Sequence, residues 1–398
     1  MSKEAKKTAV PKLRFPEFRE AGEWEETQLS EVSRIVAGQS PAGTCYNDKG
    51  NGIPFYQGKT DFGDIYLEKP TKWTTQVTKL AGQGDILMSV RAPVGALNIA
   101  THEICIGRGL AAIQPFDSRW FLYYFLNSIQ KSIIGNGGSI FDSINKEQIE
   151  AIKVQIPSTD EQQKIAATLF SLDDLITAQN AKLEALKTHK RGLMQRLFPT
   201  EGETVPKLRF PEFRDAGEWD IKLLGEVAKN LDSKRVPITE SERISGNVPY
   251  YGASGIIDYV QDYLFDEDLL CISEDGANLM ARTYPIAFSI TGKTWVNNHA
   301  HVIRFKKRFT QVLVENYLNA ISLEGFLTGM AQPKLNRAKL DIISVPLPKD
   351  EKEQQRIANT LSSLDDLITA QSQKIEALKL HKKGLMQVLF PAASKEDA

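Results

Sequence analysis

From residue 161 onward, apolar side chains step by alternating fours and threes: Ile165, Leu169, Leu172, Ile176, Leu183, Leu186, Leu193 and Leu197. Gln179 and Lys190 occupy two steps of the same series. This is the heptad seam of a helix that packs along its whole length. The series returns as Ile357, Leu361, Leu364, Ile368, Gln371, Ile375, Leu378, Lys382, Leu385 and Leu389. Ser158, Thr159 and Asp160 supply N-cap chemistry before the first run, and Pro199 and Pro391 end the two runs. Two helices of about 37 residues, each about 55 Å long, are predicted. Neither can bury its stripe alone, and the best-matched partner for each is its own copy. With a long insert between them, antiparallel pairing is the simplest closure. Gln179 with Gln371, and Lys190 with Lys382, are the polar seam positions expected to set its register.

Elsewhere the period changes. Residues 84–95, 102–115 and 299–305 carry short or alternating apolar runs bounded by Gly and Pro, which predict strands. Residues 119–131 and 310–322 read as amphipathic helices behind those strands. The mixed stretches, roughly 33–158 and 228–350, are expected to be two small α/β domains.

Self-similarity organises these pieces. Residues 10–32 (VPKLRFPEFREAGEWEETQLSEV) match residues 205–227 at 17 of 23 positions, and residues 161–199 match residues 353–391 at 30 of 39. The offsets, 195 and 192, mark one duplication of about half the chain. Between these blocks only echoes survive, such as Ile53-Pro54-Phe55-Tyr56 against Val248-Pro249-Tyr250-Tyr251. The expected segments are therefore 1–158, 159–199, 200–350 and 351–398: a repeated frame carrying two divergent inserts.

Composition narrows the class without naming a partner. The chain has 398 residues, 49 Lys+Arg against 50 Asp+Glu, and 41% hydrophobic residues, which suits a globular protein of two or three domains. Three scattered cysteines without a CxxC pair point to a reducing cytoplasm and away from a zinc ribbon. No apolar run reaches the ~18 residues of a membrane span, and the opening MSKEAKKTAV does not read as a signal peptide. Two similar globules on a rigid spacer suit a bipartite target. DNA, with about 34 Å per turn, has a matching repeat. A bivalent scaffold that binds protein through its inserts is the rival reading.

The repeated PKLRFPEF…EW…L.EV and EQQ(K/R)IA.TL.SLDDLITAQ…EALK.HK(K/R)GLMQ.LFP blocks decide between them. Over residues 10–391 the chain resembles the specificity (S) subunit of type I restriction–modification systems. GDILMSVRAPVG…CIGRGLAAI and GKTWVNNHAHVIRF are similar to recognition-domain strand regions of that family. The resemblance implies an α+β fold: two α/β target-recognition domains joined by two long antiparallel coiled-coil helices, with a pseudo-twofold internal duplication. It also implies a non-catalytic subunit that reads a split, asymmetric site on double-stranded DNA. The helices would dock two methyltransferase (modification) subunits, and two restriction/translocation subunits would join the complex. S-adenosylmethionine, ATP and magnesium would belong to those partners, with no cofactor in this chain and no membrane contact.

The near-motifs agree with that division of labour. Asn247-Val248-Pro249-Tyr250 has the wrong second residue for an amino-methyltransferase loop, and no Gly-rich adenosylmethionine loop precedes it. Gly58-Lys59-Thr60 and Gly292-Lys293-Thr294 lack the P-loop glycine five residues earlier, where Ile53 and Ala287 stand. His299 and His301 alternate onto one strand face, but further metal ligands are not evident. Base edges and phosphates are read by Arg, Lys, Asn, Gln and small hydroxyls. The candidates are Gln57, Lys59, Arg91, Arg108, Asn136 and Ser139 in the first insert, and Lys293, Asn297, Asn298, His299 and Lys334 in the second.

Overall fold

The computed structural model describes residues 8–134, 143–329 and 332–391. These fall into two compact units: residues up to 179 with those from 374 onward, and residues 180–373. Both predicted long helices form, as Thr159–Leu197 and Glu351–Leu389. Each unit therefore takes the start of one long helix and the end of the other. The expected segments divide the chain along its sequence, whereas these units divide it in space.

In the first unit, Ile165 and Leu169 share a core with Leu389 and Phe390. Further along the first helix, Asp173 accepts from Lys382 Nζ at 2.6 and 2.7 Å, so the two segments run antiparallel. In the second unit, Leu197 shares a core with Ile357 and Leu361, and Lys190 Nζ donates to Asp365 at 2.6 Å. The two seam lysines thus meet aspartates, which corrects the expected pairing of Lys190 with Lys382. Antiparallel packing sets each lysine against the opposite copy's carboxylate rather than against its own counterpart. The Asp173 carboxylate is buried and also accepts from the Tyr124 hydroxyl at 2.6 Å. Burial first, then that carboxylate, push the Tyr124 phenol far above its ordinary value. Ile165, Leu169, Leu172, Ile176, Gln179, Leu183, Leu186, Ile357, Leu361, Leu364, Ile368, Gln371, Ile375 and Leu378 are all buried or half-buried.

The repeated PKLRF segment explains itself once its contacts are traced. Arg14 donates from Nε and Nη2 to the two oxygens of Glu161, at 2.8 and 2.6 Å, and from Nη1 to the Ala21 carbonyl. Arg209 repeats this on Glu353, at 2.7 Å for both bonds, with Nη1 on the Gly217 carbonyl. In both pairs the arginine side chain is 8% exposed and the glutamate 1%. Meanwhile Leu13 N–H donates to the Val388 carbonyl, and Leu208 N–H to the Arg196 carbonyl. One short segment therefore grips the first turn of one long helix and satisfies an end carbonyl of the other. Phe15 lies under Lys164, and Phe210 under Arg356. Trp24 then packs on Phe390, and Trp219 on Phe198, closing each clip with an aromatic pair.

The globular part of each unit is α/β, in agreement with the expected class. In the first unit, Leu110–Pro115 pairs antiparallel with Ser33–Ala37 and Ile86–Ser89. A second sheet places Ile104–Ile106 parallel to Ile53–Tyr56 and antiparallel to Leu80–Ala81. The second unit repeats the scheme: Ala300–Phe305 pairs with Ala228–Asn230 and Leu269–Ser273. Lys293–Val296 runs parallel to Ser245–Gly252 and antiparallel to Phe265–Asp266. The strand region 102–115 splits in two at Gly107-Arg108-Gly109, because the chain passes there from one sheet to the other. Helices Arg119–Ser128 and Arg308–Ala320 cover the sheets, and the former stops short of residue 131 at Ile129. Among the described residues, no helix is long and apolar enough to cross a membrane.

The clip predicts a mutational asymmetry. Arg14→Leu strands Glu161 in the interior and is expected to cost about 3–5 kcal/mol. The double variant Arg14→Leu/Glu161→Leu should recover most of that loss. Urea unfolding at pH 7 measures both, and a single-variant loss below about 1 kcal/mol would show that the clip is dispensable.

Candidate nucleic-acid interface

The loops that leave the paired strands meet at one end of each α/β domain. In the first unit, Gly107 N–H donates to the Tyr56 carbonyl, Gly38 N–H to Leu110, Gln39 N–H to Ile106, and Val90 N–H to Gly109. Arg108 N–H donates to Ser40 Oγ at 3.1 Å. These bonds gather Gln57, Arg91 and Arg108 around Gly109, with Lys59 one short turn away. All four side chains are exposed. The loops can approach this closely because glycines line them. A Cβ on Gly38 would sit 2.1 Å from the Gly107 carbonyl oxygen, and one on Gly109 would sit 2.3 Å from that of Gln57. The result is a cationic, open cluster whose arginines can fork onto guanine edges or phosphate oxygens.

The second unit builds the equivalent cluster. Asn297 N–H donates to the Tyr251 carbonyl, as Gly107 does to Tyr56. Leu335 N–H donates to the Glu274 carbonyl, as Ile144 does to Val90. The bridge between Arg91 and Ser143 recurs as one between Asp275 and Lys334. Asn298, His299 and Lys334 are exposed on this cluster. Asn298 has the amide that reads adenine edges, and the His299 ring is held by Asp275 at 2.8 Å.

Beneath these loops lies a polar network where the first unit has small or apolar residues. The 195-residue offset sets Asp232 and Arg235 against Ala37 and Ser40. Strand register sets His301 against Ala111, and the matching bonds from Leu335 and Ile144 set Glu274 against Val90. His301 is buried, with Nδ1 2.6 Å from Asp232 Oδ2 and Nε2 2.7 Å from the Leu335 carbonyl. Arg235 donates to Glu274 at 2.7 Å, and Lys334 reaches the other Glu274 oxygen at 3.2 Å. Burial alone would push the Asp232 carboxyl up, but the His301 ring, the Val302 N–H and the Asn230 amide together hold it below its ordinary value. Glu274 behaves alike: burial raises it, while Arg235, His301 and Lys334 more than offset that. Asp232, Glu274 and His301 bring ligand-type atoms within 4.8 Å of one another. The arginine, the lysine and the Leu335 carbonyl already engage them, so the trio reads as an internal ion network.

Three of the sequence candidates move. Asn297 is 5% exposed, and its Oδ1 accepts from the His299 N–H at 2.8 Å, so it shapes the turn instead of facing outward. Lys293 stands at the opposite end of its strand from Asn297, over the Tyr263 ring, apart from the cluster. His299 precedes the strand Ala300–Phe305, so it does not share a strand face with His301. Asn136 and Ser139 lie outside the described residues. Sequence reasoning missed Arg235, Asp232, Glu274 and Asp275. A signal was there: the 195-residue offset sets Arg235 opposite Ser40, a loop residue.

A model of the type I restriction modification DNA specificity domain matches residues 21–188 and again residues 216–380. The chain belongs to that family. The two matches fall one on each copy of the duplication. The MjaX type I restriction enzyme specificity subunit of Methanocaldococcus jannaschii is 40% identical over 183 residues. That match covers 44% of this chain and 43% of the relative, so it spans under half of the relative's length. The MjaVIII specificity subunit of the same organism is 23% identical over 411 aligned positions, 95% of this chain and 93% of the relative. Among solved structures, the S subunit of a type I restriction–modification system from M. genitalium superposes with a TM-score of 0.65 at 16% identity. It covers 97% of this chain and 100% of that one, a likeness of fold.

The network of this specificity-family chain sets a pH dependence. Both carboxylates are held below their unfolded values. Their stabilisation is therefore complete above the ordinary carboxylate range, about pH 5, and is lost as the pH falls through the depressed folded values. The stability gap between the unaltered chain and Asp232→Asn should be widest at neutral pH and should close on acidification. Urea midpoints at pH 7 and pH 3.5 test this, and an equal gap at both would refute it.

Proposed function

We propose that the chain is the DNA-reading subunit of a type I restriction–modification complex, with each loop cluster reading one half of a split, asymmetric site. The carrying observation is the contrast between frame and loops. The two clusters are built on equivalent strands, yet one offers Gln57, Arg91 and Arg108 where the other offers Asn298, His299 and Lys334. One frame with two unlike reading surfaces is what an asymmetric bipartite duplex demands. The long helices act as the spacer that sets the gap between half-sites. Against a scaffold binding protein through its inserts stand the exposed arginines Arg91 and Arg108 and the exposed Asn298, His299 and Lys334, side chains suited to base edges and phosphates, gathered at the strand ends.

Docking of two methyltransferase subunits, one per half, has its own support. Leu175, Ala178 and Ala185 lie on an exposed face of the first long helix, and the same residue types recur, exposed, at Leu367, Ala370 and Ala377. Leu175 and Leu367 are 40% and 54% exposed. Identical outward-facing residues in both copies suit one partner bound twice. Restriction/translocation subunits would then join through that assembly. Adenine methylation and cleavage, with their adenosylmethionine, ATP and magnesium, belong to the partners, and this chain contributes no catalytic group. Free thiols at Cys45, Cys105 and Cys271 accord with the cytoplasm.

Methylome sequencing tests the first part. Cells expressing the chain with its cognate adenine methyltransferase subunit should gain a split motif, two short defined halves around a fixed gap, that the methyltransferase alone does not produce. Both proteins co-purifying with no new motif would favour the scaffold. For docking, Leu175→Glu/Leu367→Glu should weaken co-purification with the methyltransferase by about tenfold or more while leaving the melting temperature unchanged. Undiminished co-purification would place the partner elsewhere.

A further inference from the structure

The two loop clusters hold their shape by different means. The first relies on glycine backbones packed against carbonyls, with Ser40 receiving the Arg108 N–H. At the position of Ser40 the second cluster carries Arg235, whose side chain is only 12% exposed and so faces the protein rather than a ligand. Its guanidinium donates to Glu274 at 2.7 Å, to the Ala300 carbonyl at 2.8 Å and to the Asn298 carbonyl at 3.3 Å. From Nε it donates to the Asp232 carbonyl at 3.2 Å, and Nη2 lies 3.5 Å from the Asp232 carboxylate. Two of those acceptors bracket His299, and one belongs to Asn298, the two outward-facing residues of the turn. Nη1, with two N–H groups, serves the Glu274 carboxylate and the Ala300 carbonyl and shares its longer contact with the Asn298 carbonyl, while Nε on the same rigid plane holds the Asp232 carbonyl. A lysine at the same place can satisfy charge but not that geometry.

We infer that Arg235 is the positioning residue of the second cluster: it sets the Asn298–His299 turn and thereby the sharpness with which that half-site is read, without touching DNA itself. This rests on the DNA-reading function proposed above. The dependence is one-sided, because the glycine-built first cluster has no equivalent of Arg235.

The test is the methylome of cells expressing the full chain with its methyltransferase subunit, comparing the unaltered chain, Arg235→Lys, Asn298→Ala and Arg108→Ala. Arg235→Lys should blur the same half-motif that Asn298→Ala blurs, relaxing discrimination against single-base variants there by about tenfold. The half-motif blurred by Arg108→Ala should stay sharp in Arg235→Lys. A residue that merely stabilised the fold would erode both halves together and lower the melting temperature, and that result would overturn the inference, as would two unchanged halves. Should Arg235→Lys fail to accumulate, the fourfold variant Asp232→Ala/Arg235→Ser/Glu274→Val/His301→Ala installs the first cluster's own residues and leaves no buried charge unpaired. It should blur that half alone. No split motif from the unaltered chain would instead sink the DNA reading, and this inference with it.

Discussion

Two buried arginine–glutamate forks, Arg14 on Glu161 and Arg209 on Glu353, decide how everything else is held. Each is formed across more than a hundred residues, so it exists only when the opening segment of a half has found a long helix. Taking both charges out of water is costly, and the bidentate geometry with a third bond to a backbone carbonyl is what compensates. Such a pair adds little net stability over an apolar equivalent, but it tolerates almost no alternative arrangement. The neighbouring backbone bonds, Leu13 to Val388 and Leu208 to Arg196, turn that selectivity into a defined meeting of helix start and helix end. Both partners of each fork, and of each of these backbone bonds, lie within the duplicated segments.

Beyond the forks, constraint falls away in steps. The helix seams need only apolar residues of suitable size, with Asp173–Lys382 and Lys190–Asp365 pinning register. The strand frame needs alternation and a crossing between sheets. The loops need only be anchored at their ends, and there the copies part company. One cluster is anchored by the absence of side chains and the other by an abundance of charge. The two solutions differ physically: backbone packing hardly senses pH or salt, whereas a network around Asp232 and Glu274 responds to acid.

Legibility followed the same gradient. The heptad series predicted both long helices, because period is written at every fourth or third residue, and their antiparallel sense followed from the long insert that a single chain must place between them. The pairing of lysines with aspartates was not read, since Asp173 and Asp365 sit beside the apolar seam and not on it. In the first insert, the meeting of Gln57, Arg91 and Arg108 at exposed strand-end loops was legible because Gly-rich turns announce where backbone bends. In the second, Asn297 was misplaced: an asparagine that caps its own turn has the same letters as one that reads a base. Arg235 was missed for a related reason, as nothing in VPITES or LDSKR reveals that its fork turns inward.

The way the units are assembled also bears on how the chain comes into being. The second unit is one continuous stretch, residues 180–373, so all its parts leave the ribosome in succession. The first unit opens the chain but is closed by Phe390, which packs on Trp24, Phe121 and Phe125. Its aromatic core therefore stays open through the synthesis of the whole second unit. The unit begun first is completed after the second, and the rings of the Arg119–Ser128 helix must wait for Phe390, which follows the Glu351–Leu389 helix.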